Sequence, residues 1–274
     1  MVTRVTVNDQ FRKLPDIAKA DPAPVPFRKN ESYALSSDDR RSDCKEIPKI
    51  VDAMKDRLIA FALFAVLATP NCLPADRTLI ALPTPKKEGT VSVEAALASR
   101  RSVRTYTKQA MTLAEVGQLL WAAQGITSPD GKRTAPSAMH GYPLEIAVVA
   151  QNVAGLSSGA YRYAPATHSL ELLNSATSDQ PLLAAATSQV QVHNAPAVFV
   201  IAAVYERMGS GAKAHTWTDY EAGLASENLL LEAVALGFGA VVTGGIDTAA
   251  VKDAVKFSGS EQVIVVIPVG RPTK

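Results

Sequence analysis

The chain has 274 residues, of which 47% are hydrophobic and 20% charged, a globular balance with enough apolar surface for a sizeable core. Twenty-eight Lys and Arg against 26 Asp and Glu leave a formal charge of +2, without the basic surplus that marks a nucleic-acid binder. Two cysteines, Cys44 and Cys72, exclude a disulfide scaffold and a cysteine-based zinc knuckle.

Residues 1–53 combine mixed charge (Asp38-Asp39-Arg40-Arg41) and a proline cluster (Pro22, Pro24, Pro26) with little apolar periodicity. Such a segment buries too little surface to offset its ordering entropy. It reads as disordered or as lying outside the mature protein. Residues 54–75 read as a signal-peptide-like segment: Lys55 and Arg57, then the eleven apolar residues 58–68, then Ala75 at a position suited to cleavage. Eleven residues are too few for a stable membrane span, which takes about 20. This reading puts the translation start at Met54 and the protein in the periplasm or outside the cell. With Met1 as the start, the expectation is cytoplasmic. A short buried helix is the alternative for the apolar run. Thr69-Pro70-Asn71 before Cys72 is not a lipoprotein context.

Residues 80–273 form the expected folded domain. Ser92 is placed to cap a helix over 93–99. Thr112-Leu113-Ala114-Glu115 has the spacing of a capping box, and Leu113, Val116, Leu120 and Ala123 follow at helical spacing until Gly125. Residues 144–150 read as a buried strand. Residues 160–164 and 169–173 read as a hairpin around Pro165-Ala166-Thr167-His168, with His168 in a solvated turn. The pattern predicts a helix over 181–190, a strand over 197–204 and a long helix over 219–236. That helix is apolar on most sides and therefore central, and Gly237 stops it. A strand over 240–243, a helix capped by Thr248 and running to Val255, and a last strand over 262–269 complete the domain. Strands and helices mix without steady alternation, which favours an α+β class.

Four stretches carry candidate chemistry. Arg100-Arg101-Ser102-Val103-Arg104 sets three forked cations around a hydroxyl, a good phosphate-binding set, although such runs are commonly solvated turns. The loop from Thr134 to Pro143, with Pro136, Ser137, Ala138 and the candidate proton donor His140, lets backbone approach a flat ligand; the plain alternative is a structural turn. Thr243-Gly244-Gly245-Ile246-Asp247 exposes consecutive backbone N–H groups suited to an anion or an electron-rich ring nitrogen. Arg271 closes the last strand and is weak evidence alone. No metal site is expected, because His140, His168, His193 and His215 have no ligand spacing.

In this order, ALASRRSVRTYT from Ala96, LLWAAQGIT from Leu119, RTAPSAMHGYPLE from Arg133, YRYAPATHSL from Tyr161, YEAGLASENLLLEAVALGFGAVVTGGID from Tyr220 and VIPVGRP from Val266 resemble the nitroreductase family of FMN-dependent oxidoreductases, nearest its SagB-type branch. The resemblance covers about residues 80–273. It implies a sheet, mixed or antiparallel, flanked by helices around a long central helix, and a homodimer with FMN at the interface. By position, Arg100, Arg101, Ser102 and Arg104 match the first FMN motif, and Arg104 is the candidate charge near flavin N1 and O2. Pro136, Ser137 and Ala138 match a loop that packs on the flavin from the other subunit. Gly244 and Gly245 match the turn near flavin N5, and Arg271 matches a phosphate contact. The implied activity is a ping-pong cycle in which NAD(P)H, bound transiently, reduces the flavin and a quinone- or nitroaromatic-type small molecule takes the electrons. The alternatives are a SagB-type azoline dehydrogenase acting on a peptide, or a flavin-binding protein without turnover. Two departures stand out. Met139-His140-Gly141 replaces the branch's usual Gly-Ala-Leu, and no Lys-Tyr pair precedes the long helix, which argues against azoline oxidation.

Overall fold

The computed structural model describes residues 79–176 and 182–273. The expectations for residues 1–53 and for the signal-like segment 54–75 lie outside the described residues. In chain order the elements are β1 (Leu79–Ala81), α1 (Val93–Ser99), β2 (Met111–Thr112), α2 (Leu113–Gln124), β3 (Leu144–Ala150), β4 (Val153–Ala154), β5 (Gly159–Ala164), β6 (Ser169–Ser175), α3 (Val190–Asn194), β7 (Ala197–Ala203), α4 (Ala212–Ala235), β8 (Gly239–Ala240), α5 (Thr248–Val255) and β9 (Gln262–Gly270).

Seven strands form one sheet in the order β1-β6-β5-β3-β7-β9-β8, with every pairing antiparallel. The central strands β3 (LEIAVVA) and β7 (AVFVIAA) are apolar at nearly every position because both of their faces are covered. Ile146, Val148, Phe199, Ile201 and Ile267 point to one face, where they meet Leu119, Leu120, Ala225 and Leu229 of α2 and α4. Their neighbours Ala147, Val149, Val198, Val200 and Val266 point to the other, where Leu183, Val192, Val251, Val255 and Phe257 cover them. The period-two alternation of a strand thus builds both cores at once, and the class is α+β.

Local chemistry explains the element boundaries. Ser92 Oγ accepts from Ala95 N–H at 3.2 Å and opens α1. In α2, Thr112 Oγ1 accepts from Glu115 N–H at 3.2 Å while Glu115 Oε2 accepts from Thr112 N–H at 2.7 Å, a full capping box. Gly125 ends α2 in extended backbone with negative φ. A side chain there would strike Trp121, so close approach, not left-handed geometry, selects glycine. Gly237, at φ +76°, closes α4: its N–H reaches Val234 O and the Phe238 N–H reaches Ala233 O at 2.7 Å, the paired bonds of a Schellman motif.

Five expectations are corrected. The helix over 181–190 is absent: residues 182–186 are turns and only Val190–Asn194 is helical. The apolar signal there is real, since Leu183 and Ala186 are buried, but it serves packing in turn geometry. The long helix begins at Ala212, seven residues before Asp219. It is also not buried all round: Leu224 is exposed, whereas Leu229 and Leu230 are buried. The strand over 240–243 shrinks to Gly239–Ala240 plus an isolated bridge at Thr243. Asp247, not Thr248, caps α5, its Oδ1 accepting from Ala249 and Ala250 N–H at 3.0 and 3.1 Å. His168 is not a solvated turn residue. Its Nε2 meets the Pro83 carbonyl at 3.0 Å and its Nδ1 meets the Tyr163 hydroxyl at 2.9 Å. Only a ring N–H can bond a carbonyl oxygen, so Nε2 carries the proton and Nδ1 accepts from Tyr163.

Candidate functional site

Arg100 caps α1, its N–H bonded to Ala96 O at 2.9 Å, and the chain then runs extended beside β8. Ser102 bridges Ala240, and Val103 N–H donates to Ala240 O at 3.0 Å. Gly239 is required here because a Cβ on it would sit 2.6 Å from Val103 Cβ. Further along, Tyr106 bridges Pro272 and Thr107 N–H donates to Arg271 O at 2.8 Å. The two arginine-bearing segments therefore lie on either side of β8 at one end of the sheet.

The cations there are mostly free to take a ligand. Arg101 and Arg104 are exposed and, among the described residues, bond only nearby backbone carbonyls. Arg100 stands 3.5 Å from Glu227 of α4. Arg271 is held more firmly: Nη2 donates to Glu115 Oε1 at 2.7 Å, and the guanidinium lies 4.5 Å over the Phe238 ring. Its Nε is buried without an acceptor.

Gly244 and Gly245 follow the bridge between Thr243 and Val266. Val269, opposite Ala240, is three residues further along β9, so the glycine turn and the arginine segment are about 10 Å apart on one strand. Among the described residues the Gly244 and Gly245 N–H groups have no backbone acceptor. Thr243 Oγ1 is buried and unpaired, and a Cβ on Gly244 would meet open space. Gly245 O accepts from Gln189 Nε2 at 2.7 Å. These orphaned donors and free cations fit an elongated ligand with an anionic end and a flat, acceptor-bearing end, which is the shape and chemistry of FMN.

Pro136, Ser137, Ala138 and His140 stand elsewhere. Their loop leads into Leu144, which pairs with Ala203, whereas Arg271 follows the β9 residues that pair with Ala197. Six residues of β7 separate the two ends, about 20 Å of strand. Within one chain the loop and the arginine segment are therefore not brought together, and the two candidate modulators, Arg104 and His140, lie at opposite ends.

The loop is strained and firmly braced. Met139, His140 and Tyr142 have φ of +53°, +56° and +42°, a region that disfavours side chains. Ser137 Oγ accepts from Tyr142 N–H at 2.8 Å, Arg207 Nη1 donates to Tyr142 O at 3.2 Å, and the Arg133 guanidinium lies 4.4 Å over the Tyr142 ring. Strain that persists under such bracing collects at functional sites.

Behind this loop lies a buried polar chain that the sequence reading missed. Arg133 Nη1 donates to Gln124 Oε1 at 3.0 Å, and Gln124 Nε2 donates to Glu221 Oε1 at 3.1 Å. Glu221 is 2% exposed and its Oε2 has no partner. Burial pushes its carboxyl above the ordinary glutamate range, against the pull of Ser137, Gln124 and Arg133. The signal in the sequence is spacing: Glu221 shares a helical stripe with Ala225 and Leu229, where a carboxylate is out of place.

The antiparallel sheet, its covering helices and the two-ended set of site residues define an α+β oxidoreductase class rather than a doubly wound dinucleotide-binding fold. The nitroreductase family matches residues 97–271, and the chain belongs to that family. A curated relative from Methanocaldococcus jannaschii, named as a nitroreductase, is 36% identical over 183 residues, spanning 66% of this chain and 91% of that one. A solved Ralstonia eutropha protein, also named as a nitroreductase, is 30% identical with a TM-score of 0.63, over 72% of this chain and 90% of that one. A chain of the E. coli microcin synthetase complex, solved with a truncated precursor bound, shares the fold at 16% identity and a TM-score of 0.55, over 80% of this chain and 85% of that one. Among the described residues no helix is long and apolar enough to cross a membrane, and no group of three His, Cys, Asp or Glu side chains is placed to hold a metal ion.

Proposed function

We propose that the protein is an FMN-dependent oxidoreductase that works as a homodimer, takes electrons from NAD(P)H and passes them to a quinone- or nitroaromatic-type acceptor. The observation that carries this reading is the pair of exposed guanidiniums of Arg101 and Arg104 across β8 from Arg271, whose buried Nε has no acceptor among the described residues. Bound FMN supplies the capacity to accept a hydride and to return it to a second substrate.

The chain's own residues would divide the work by charge. Arg100, Arg101, Ser102 and Arg271 hold the phosphate, and Arg271 arrives already oriented by Glu115 and Phe238. Arg104 places positive charge where electron uptake builds negative charge. The Gly244 and Gly245 N–H groups face the ring system, and the turn leaves room for it. No side-chain acid or base is needed for hydride transfer itself.

The split site supports the dimer. Pro136–Ala138 and the arginine segment occupy opposite sheet ends, and a second copy would bring its loop to the first copy's arginines. An apolar stripe is present to bury: Trp217, Tyr220 and Leu224 are exposed along one face of α4, with Val93 and Leu97 of α1 also exposed. A groove of about 310 Å³ runs between α1, α2 and α4, lined by Val91, Val93, Trp121 and Leu231 among others.

The test is direct. Purified protein is expected to be yellow, to bind one FMN per chain and to elute at twice the chain mass. It should bleach anaerobically with NADH or NADPH and recover colour with a quinone or nitroaromatic. Protein that takes up no FMN sinks the reading. FMN that neither nucleotide bleaches would instead make it a flavin carrier.

A further inference from the structure

We propose that Glu221 is a proton-operated positioning residue: its carboxyl, linked through Gln124 to Arg133 and facing Ser137, sets the stance of the 136–142 loop. That this loop borders the flavin rests on the function proposed above, but its coupling to Glu221 through Gln124 and Arg133 stands on geometry.

The link has two arms. In the first, Gln124 is 1% exposed and has a forced orientation: Arg133 can only donate, so the amide oxygen faces Arg133 and the amide N–H₂ faces Glu221 Oε1. A proton added at the free Oε2 leaves that bond intact but removes the negative charge that Arg133 feels across the amide. Arg133 is the cation stacked on Tyr142, so its hold on the loop changes with that charge. In the second arm, Ser137 Oγ already accepts from Tyr142 N–H and stands beside Glu221. With Glu221 ionised, the Ser137 hydroxyl is drawn toward the carboxylate. With Glu221 protonated, that pull on Ser137 is lost, while Ser137 Oγ still accepts from Tyr142 N–H.

The groups facing Glu221 are thus Gln124 from α2 and Arg133 and Ser137 from the segment before β3. Beyond Arg133 stand Tyr142, Glu145 of β3 and Arg207. Glu145 reaches the loop by pairing with Arg207, which bonds the Tyr142 carbonyl. The loop can respond because three of its residues occupy strained backbone, and Met139 at its tip is 68% exposed. A buried acid with a vacant oxygen, wired to a strained loop through Gln124 and Arg133 and set close to Ser137, is more than a structural salt link needs.

Met139 is one of five methionines, so its methyl group is a resolvable NMR probe. The full chain, labelled at methionine methyls and carrying His140→Asn to silence the neighbouring imidazole, is followed from pH 4.5 to 8 without cofactor. The Met139 signal should move with one midpoint above the ordinary glutamate value. Adding Glu221→Gln should abolish that movement. Ser137→Ala, which keeps the acid but cuts one arm, should reduce the amplitude at least twofold, and Glu221→Asp should restore a titration with a displaced midpoint. A Met139 titration unchanged by Glu221→Gln and Ser137→Ala, or none in the parent, overturns the proposal. Because no flavin is present, this result is independent of whether the protein binds FMN.

Discussion

Replacing Arg271 by methionine separates the structural and ligand-binding uses of one side chain. Methionine keeps an apolar stem but removes the guanidinium that lies over Phe238, with its bond to Glu115 and its acceptor-less Nε. The ion pair is part-buried, with side chains 30% and 20% exposed, so solvent screening limits its loss to about 1 kcal/mol. Glu115 keeps its capping-box bonds to Thr112, so α2 itself survives. At about 2–4 °C per kcal/mol for a domain of this size, Tm should fall by roughly 2–4 °C. The cost to FMN is larger, because a charge-assisted hydrogen bond to phosphate is lost, worth about 1.5–3 kcal/mol, or roughly 10- to 150-fold in Kd. Glu115→Gln is the matched control: it loosens the same pair and weakens the cap, yet leaves the guanidinium for the ligand. Its Tm should drop comparably while FMN binding stays within about threefold. Thermal denaturation of the cofactor-free protein and FMN fluorescence titration read the two quantities separately. If Arg271→Met binds FMN as tightly as the parent, Arg271 is a structural residue and its place in the site is wrong.

Three further outcomes follow from the geometry. Gly239→Ala forces a Cβ into Val103 and should push the 102–104 segment off β8, costing about 1–3 kcal/mol in urea denaturation and weakening FMN binding. Adding Val103→Gly should recover part of both, whereas Val103→Ala, which keeps the offending Cβ, should not. Phe199→Ala, at a fully buried position of β7, should cost about 3–5 kcal/mol and leave little folded protein at 37 °C. Burial holds the His168 imidazole below its ordinary value of 6.5, although Pro83 O pulls the other way. The unfolded chain then takes up the proton first, so stability is full above about pH 6.5 and declines as pH falls from there toward the folded value. His168→Gln should lower stability at every pH and flatten that slope. A wild-type pH–stability curve with no such decline would show that the imidazole is not held neutral.

Much of the fold was legible because its signals are local. The capping box at Thr112 and Glu115 and the unbroken apolar runs of β3 and β7 need no tertiary information. The front of α4 was not legible, because Gly211 precedes it without a capping side chain and its first turns carry Lys213, His215 and Thr216 on exposed faces. The 182–186 turn carries core side chains in a window that mimics a helix. The arginine and glycine segments stood out by composition, but their relation through β9 is a matter of sheet order. The separation of Pro136–Ala138 from Arg271 was equally hidden, since it depends on which end of β7 each segment meets. The Arg133–Gln124–Glu221 chain joins residues 97 positions apart at its Gln124–Glu221 bond, a pairing that no spacing rule reveals.

β9 is inserted last in sequence yet sits inside the sheet, between β7 and β8. Until it docks, β7 presents a bare, wholly apolar edge to any other chain that can pair with it. The same docking event swings Arg271 beside Thr107 and creates the partner on which β8 forms. Shielding the aggregation-prone edge and completing the anion cradle are therefore one step. Any ligand that grips the cradle favours the fully zipped sheet over its half-assembled precursor, so supply of that ligand during synthesis should set how much chain survives as soluble protein.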